Sequence, residues 1–128
     1  MRVTSRKDQF GQSTDHSWVK FFRPALVALA QSDLTPAAMS LLLWLAGSVV
    51  HGNQVRGYSN MAVAGELGLA QSTTSEALRD LIAANLVRKL RVHGLVWVQV
   101  NPALVWVGDA DSRARERGEW GAPFVRSV

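Results

Sequence analysis

Between Gln71 and Ala83 the chain sets Gln71, Ser72, Thr73, Ser75, Glu76 and Arg79 among apolar residues at helical spacing. On a helical wheel Thr74, Ala77, Leu78 and Leu81 fall on one side. Ser72, Ser75, Glu76, Arg79 and Ala83 lie opposite, with Gln71, Thr73 and Asp80 on the flanks. The outward groups are the hydrogen-bonding types that base edges require. Arg79 can bond guanine O6 and N7 as a fork, Gln71 can pair with adenine, and Glu76 can accept from cytosine N4. The hydroxyls of Ser72, Thr73 and Ser75 sit near the helix start, where hydroxyls and free N–H groups bind phosphate. Four of these residues have a competing structural use, beginning with Ser72 or Thr73 as the cap of the helix. Thr73-x-x-Glu76 fits a capping box, and Glu76 is an i, i+3 neighbour of Arg79. Because a carboxylate repels phosphates, capping is the expected role of Glu76, and nucleic-acid contact that of Arg79.

A second basic element follows at once. LVRKLRVHGLVWVQV is two runs of strand-forming residues about a His93-Gly94 turn, which predicts a β-hairpin. From Leu86 to Gly94 it carries Arg88, Lys89, Arg91 and His93 and no acidic residue. Strand alternation puts Lys89 and Arg91 on one face and Arg88 on the face of Leu86 and Leu90. Long basic side chains on a hairpin suit phosphate or minor-groove contact. The alternative is an edge strand protected from aggregation by Lys and Arg. Position beside the polar helix favours the first.

The elements that must hold these residues are legible in outline. Val63, Ala64 and Leu67 predict a helix from about Asn60, capped by Ser59 or Asn60 and stopped by Gly68. Glycine takes the left-handed conformation that a steep turn between two helices requires. Ala64, four residues earlier, is small enough for close helix packing. Helix, glycine turn, helix with a polar outer stripe is the helix-turn-helix layout, and a hairpin directly after it makes a winged helix-turn-helix. The second helix should end near Ala84-Asn85. The expected fold is mainly α with a small β-hairpin wing.

Upstream, Thr35 caps a helix with Pro36 at its first position and Leu34 stapled onto Met39. Its apolar face is Met39, Leu42, Leu43, Ala46 and Val50, extended by Leu41, Trp44 and Leu45, so a central core helix is expected. A sharper alternative has the Trp44 side meeting a second copy in a homodimer. Pro24 opens a short helix to about Gln31, and Ser17–Phe22 reads as a strand added to a small sheet. His51–Ser59 is a loop or a short strand around Gln54–Tyr58, with Tyr58 a packing residue. Asn101-Pro102 ends the second hairpin strand, and Ala103–Val107 packs back on the domain. The domain is thus expected at residues 16–108. A polar, flexible N-terminal arm precedes it at 1–15, and a charged C-terminal tail follows at 109–128, with Trp120 or Phe124 as its docking points.

Composition narrows the classes. At 128 residues the chain is long enough for one domain with a single core. With no cysteine it can form neither a disulfide framework nor a cysteine zinc site. The net charge of +4 favours a polyanionic partner, though where that charge sits matters more. The N-terminus lacks an apolar signal region, and Pro36–Val50 falls short of the ~20 residues that span a bilayer, so a cytoplasmic location away from membranes is expected. His16, His51 and His93 are isolated, and neither HExxH nor a phosphate-binding G-x-x-x-x-G-K-[ST] loop occurs. Tyr58, the single tyrosine, lacks the histidine cluster a DNA-nicking nucleophile would need. No enzymatic activity, cofactor or metal is expected.

From Trp18 to about Gly108 the chain resembles the RepL-type plasmid replication proteins, a winged-helix family. The resemblance is carried by SWVKFFRPAL, TPAAMSLLLWL, YSNMAVAGELGLAQSTTSEALRDLIAANLVRKL and the closing VWVQVNPALVWVG. The last, a strand running into Asn101-Pro102, is the most specific; the middle also resembles regulators of the MarR group. Ala70 and Glu76 depart from the pattern, where a capping Ser or Thr and a basic or neutral residue are usual. The resemblance implies double-stranded DNA binding at a plasmid or phage origin or promoter. Gln71–Arg79 and Lys89–His93 carry over as the contacting positions, and replication or transcription machinery as further partners. The rival reading is a winged helix used as a protein-interaction module, with Trp44, Trp106 and Trp120 as anchors.

Overall fold

Capping residues at helix starts and left-handed residues at helix ends set most of the boundaries in this chain. A computed structural model describes residues 18–124. The arm expected at 1–15 lies outside the described residues. Helix α1 spans Arg23–Ala30 with Pro24 in its first turn. Helix α2 spans Pro36–Ser48, and the Thr35 hydroxyl accepts from the Ala38 N–H at 3.1 Å. Helix α3, Asn60–Leu67, is capped by Ser59, whose hydroxyl accepts from the Ala62 N–H at 3.2 Å. It ends at Gly68 with φ 70°; the Gly68 N–H donates to Gly65 O and the Leu69 N–H to Ala64 O, a Schellman motif. Helix α4, Gln71–Ala83, ends the same way on Asn85 at φ 58°, whose N–H donates to Ile82 O while that of Leu86 donates to Leu81 O.

Strands β3 (Val87–Val92) and β4 (Leu95–Val100) form the expected antiparallel hairpin, in register from Val87↔Val100 to Val92↔Leu95. His93 and Gly94 have φ of 51° and 80°, as a two-residue hairpin turn with primed geometry requires. The segment expected as a loop or strand at Gln54–Tyr58 gives only β2, Gln54–Val55, which adds to the outer side of β4. Gly57 at φ 67° interrupts the pairing, and the Tyr58 N–H rejoins β4 by donating to Val96 O at 2.7 Å. A separate antiparallel pair joins β1, Lys20–Phe21, to β5, Val105–Trp106. The described residues thus form a mixed α/β domain of helices and two small antiparallel sheets.

The core gathers Leu41, Leu42 and Leu45 of α2, Leu81 of α4, and Leu86, Val98, Val100, Leu104 and Val105, all fully buried. The buried face of α2 is Ala38, Leu41, Leu42, Leu45 and Ala46. That corrects the expected face: Leu43 is 54% exposed, and Val50 lies beyond the helix, which stops at an extended Val49. Helix α2 is apolar nearly all round, so periodicity alone does not fix its rotation. In α4, Thr74, Ala77, Leu78 and Leu81 do face inward. The polar Thr74 is accommodated because its hydroxyl donates to Ala70 O at 3.0 Å.

Two buried asparagines hold the loops. Asn53 donates through Nδ2 to Val100 O at 2.9 Å and Val105 O at 2.8 Å, and its Oδ1 accepts from the Val107 N–H at 3.0 Å. One side chain thereby links the two sheets. Asn101 donates to Asn85 O at 2.7 Å and accepts from the Ala103 N–H at 2.8 Å.

Residues 109–120 differ from the expected solvated tail. Asp109 caps a regular helix α5, Ala110–Trp120, by accepting from the Ser112 N–H at 2.7 Å. Trp120 at its end is buried, as one of the two expected docking points. No helix among the described residues is long and apolar enough to cross a membrane.

Candidate nucleic-acid interface

Helix α4 starts without a side-chain cap: Ala70 occupies the cap position in extended conformation, and its carbonyl accepts from the Thr74 N–H at 3.0 Å. This overturns the cap at Ser72 or Thr73 and the Thr73–Glu76 capping box. Both residues lie inside the helix, Thr73 half-buried and Glu76 exposed. Gln71 and Ser72 form the exposed first turn, and Ser75 and Arg79 follow on the outer side. The first turn is tied down from α3, since Asn60 Nδ2 donates to Gln71 O at 3.1 Å and the Tyr58 hydroxyl donates to Asn60 Oδ1 at 3.3 Å. Val63 and Ala64 of α3 are both buried, and α3 packs against α4.

On β3 the alternation begins with Val87 in the core and then carries Lys89 and Arg91 out along the same face, opposite Val98 and Val96. Both cations are exposed; Arg91 Nη1 donates to Gly94 O at 3.4 Å. His93 sits exposed in the turn itself. Between α4 and this hairpin face lies an open cleft of about 340 Å³. Ser75, Arg79 and Ile82 line it from the helix, Lys89 and Val96 from the hairpin, and Tyr58 from the loop before α3. Among the described residues no acidic side chain lines it. Burial raises the Tyr58 hydroxyl above its ordinary pKa, so it stays protonated beside the two cations.

Ser75, Arg79 and Lys89 therefore meet in one cleft. Gln71, Ser72 and Glu76 stand on the exposed helix surface, and Arg91 and His93 toward the hairpin tip. Arg88 does not join them. It falls on the opposite hairpin face, its guanidinium 4.0 Å from the centre of the Trp120 ring, and Nη2 donates to Glu119 O at 3.1 Å. This corrects its expected place among the contacting cations: α5, where a solvated tail is expected, covers it.

The tryptophans expected as anchors of an interaction module are mostly interior. Trp106 and Trp120 are buried, and Trp106 Nε1 donates to Asp109 O at 2.9 Å. Trp44 is half-buried, its Nε1 donating to Glu66 Oε1 at 2.9 Å. Tyr58 and Asn60 were missed as site residues. Their signal is faint: a hydroxyl and an amide flanking the Ser59 cap, which puts both at the foot of α4. Compared with known proteins, the chain matches no family model, no curated protein and no solved structure.

Proposed function

We propose that this chain is a winged helix-turn-helix protein that binds double-stranded DNA. On this reading α4 is the recognition helix in the major groove and the β3–β4 hairpin is the wing. The observation that carries it is the cleft, in which cations from helix and hairpin converge with uncharged hydrogen-bonding groups and no acid. Gln71, Ser72, Thr73 and Glu76 at the leading end of α4 reach base edges, while Arg91 and His93 on the wing lie along the backbone. The protein acts by occupying DNA at a plasmid or phage origin or promoter, where it recruits or blocks replication or transcription machinery. Two copies associating through the exposed Leu43 side of α2, beside Trp44, would recognise an inverted repeat with half-sites about 10 bp apart. Selection of bound fragments from a random duplex pool tests the reading, followed by gel shift at ~0.15 M salt with excess competitor DNA. A consensus sequence bound through that competition supports it. Only weak, salt-sensitive binding with no consensus refutes it in favour of an interaction module.

A further inference from the structure

We infer that the cleft between α4 and the hairpin holds one deoxyribose-phosphate unit of the duplex backbone, its phosphate shared by Arg79 and Lys89 and bonded by the Tyr58 hydroxyl. The inference rests on the proposed DNA binding and changes the role of Arg79 within it. An outward helix position suggested a fork for guanine. The structure instead sets Arg79 in the wall of a cleft that Lys89 closes from the other side. A base edge in the major groove would leave Lys89 without a partner and would set a polar ring edge against the apolar part of the lining. A backbone unit satisfies the whole surface. The phosphate takes the two cations and the hydroxyls of Tyr58 and Ser75, and the sugar lies on Ile82 and Val96.

The supporting groups fit that use. Ile82 is 37% exposed, an apolar surface open to a ligand rather than to the core. The Tyr58 hydroxyl is at 3.3 Å from Asn60 Oδ1, a long bond that leaves it free to turn toward an anion. Asn60 also donates to Gln71 O at 3.1 Å, which fixes the first turn of α4 beside the cleft whether or not Tyr58 turns. Phosphate gripped here positions; bases are read by the turns of α4 ahead of it.

The test compares salt dependence of binding to a mixed-sequence duplex for wild type, Arg79→Ala, Lys89→Ala and the double variant. Two cations on one phosphate release the counterions of one phosphate. The double variant should therefore lower the slope of log K against log salt by about 0.9, no more than one phosphate's worth. Separate phosphates would give about 1.8, and that result overturns the inference. Tyr58→Phe keeps the ring and its packing, and should weaken binding about 10-fold with the slope unchanged. No weakening counts against the site. Random-pool selection with Arg79→Ala should return the wild-type consensus; loss of preference at one base would restore Arg79 as a base reader. Millimolar inorganic phosphate that protects wild type but not the double variant against heat, with duplex giving no such difference, would make this a free-anion site and defeat the proposal. If the wild-type protein binds no duplex at all, the DNA reading falls and this site with it. If it binds with a slope that the double variant leaves intact, only the present inference falls.

Discussion

Positions 88 and 89 place two long cations side by side in the chain, and the pleat of β3 sends them to opposite faces of the hairpin. On the front, Lys89 and Arg91 are exposed and Lys89 lines the cleft with Arg79. On the back, Arg88 is stacked on Trp120 at 4.0 Å, and Arg56 stands 5.2 Å from the ring of Trp97. Trp97 and Trp120 each bury an indole N–H with no hydrogen-bond partner among the described residues. The contrast teaches that a run of basic residues is not an interface. What covers each strand face decides which charges remain free for a ligand and which are absorbed into packing.

The cover over Arg88 is α5, held at both ends. Near its start the Arg113 guanidinium lies 3.5 Å from the Phe22 ring, and Nε donates to Pro102 O at 2.9 Å. At its last residue and beyond, Asn85 Nδ2 donates to Trp120 O at 2.9 Å and Ala122 O at 3.0 Å, and the Phe124 N–H donates to Ala84 O at 2.7 Å. Those last contacts grip the junction where α4 passes into β3. The C-terminal segment thus braces the angle between the helix and the hairpin from behind, while the front is left open.

The largest effect that would break this contrast comes from Trp120. Trp120→Ala should destabilise by about 3 kcal/mol or more in urea unfolding, since it empties a buried aromatic site. Trp120→Phe should lose much less, because the ring still stacks on Arg88 and the unpartnered N–H is gone. With the cover removed, Arg88 should start to behave like Lys89. Arg88→Ala should then lower the salt slope of duplex binding in the Trp120→Ala background but not in wild type. A slope change of equal size in both backgrounds would mean that Arg88 reaches DNA from under α5.

Next in size is the turn that aims α4. Gly68→Val should cost about 2 kcal/mol, although a Cβ there meets nothing within 4 Å. The strain is in the φ of 70°, not in space, so Gly68→Asn should be milder than Val. Equal melting temperatures for wild type and Gly68→Val would show that the turn relaxes freely.

Smaller still, Lys89→Ala with Arg91→Ala should leave stability within about 0.5 kcal/mol while weakening binding to specific and scrambled duplexes alike. The salt slope should flatten by about one, the phosphate of Arg91, since Arg79 still neutralises the phosphate it shares with Lys89. Isotherms on both duplexes across a salt series measure this. A loss confined to the specific duplex would mean that the hairpin reads sequence.

How far these elements were legible follows from the same physics. The α3–Gly68–α4 turn and the His93-Gly94 hairpin announce themselves because each needs a residue type that few other conformations demand. The inward face of α4 was legible because polar and apolar residues separate cleanly on it. The face of α2 was not, because leucines at 41, 42, 43 and 45 surround the helix and only its neighbours choose among them. Helix α5 was hidden for the opposite reason: Trp120 is its one buried residue, so no periodicity points at the surface it covers. Asn53 reads as an ordinary loop residue, and nothing local reveals that its three bonds join two sheets. Tyr58 packs against the core as expected, half-buried; what its sequence context does not reveal is that it also lines the cleft.

The smallest expected effect concerns the cap of the covering helix and its dependence on pH. Asp109 accepts from the Ser112 N–H at 2.7 Å and from the Ser112 hydroxyl at 3.2 Å. These bonds hold its carboxyl below the ordinary aspartate range, with Arg115 adding a weaker pull in the same direction. A carboxyl whose pKa is lower folded than unfolded stabilises the fold fully above the unfolded value, about 3.9, and loses that contribution as pH falls through the folded one. The acid-side loss should therefore begin only below about pH 4, leaving neutral pH flat for this group. Asp109→Asn keeps an acceptor at the cap, so α5 should remain docked at pH 7. Its docking should then lose part of its acid sensitivity. The indole N–H resonance of Trp120, assigned by its absence in Trp120→Phe, reports docking directly. A wild-type resonance that shifts between pH 5 and 7 would show that another group governs the seating of α5, and that the back of the hairpin is covered for reasons other than this cap.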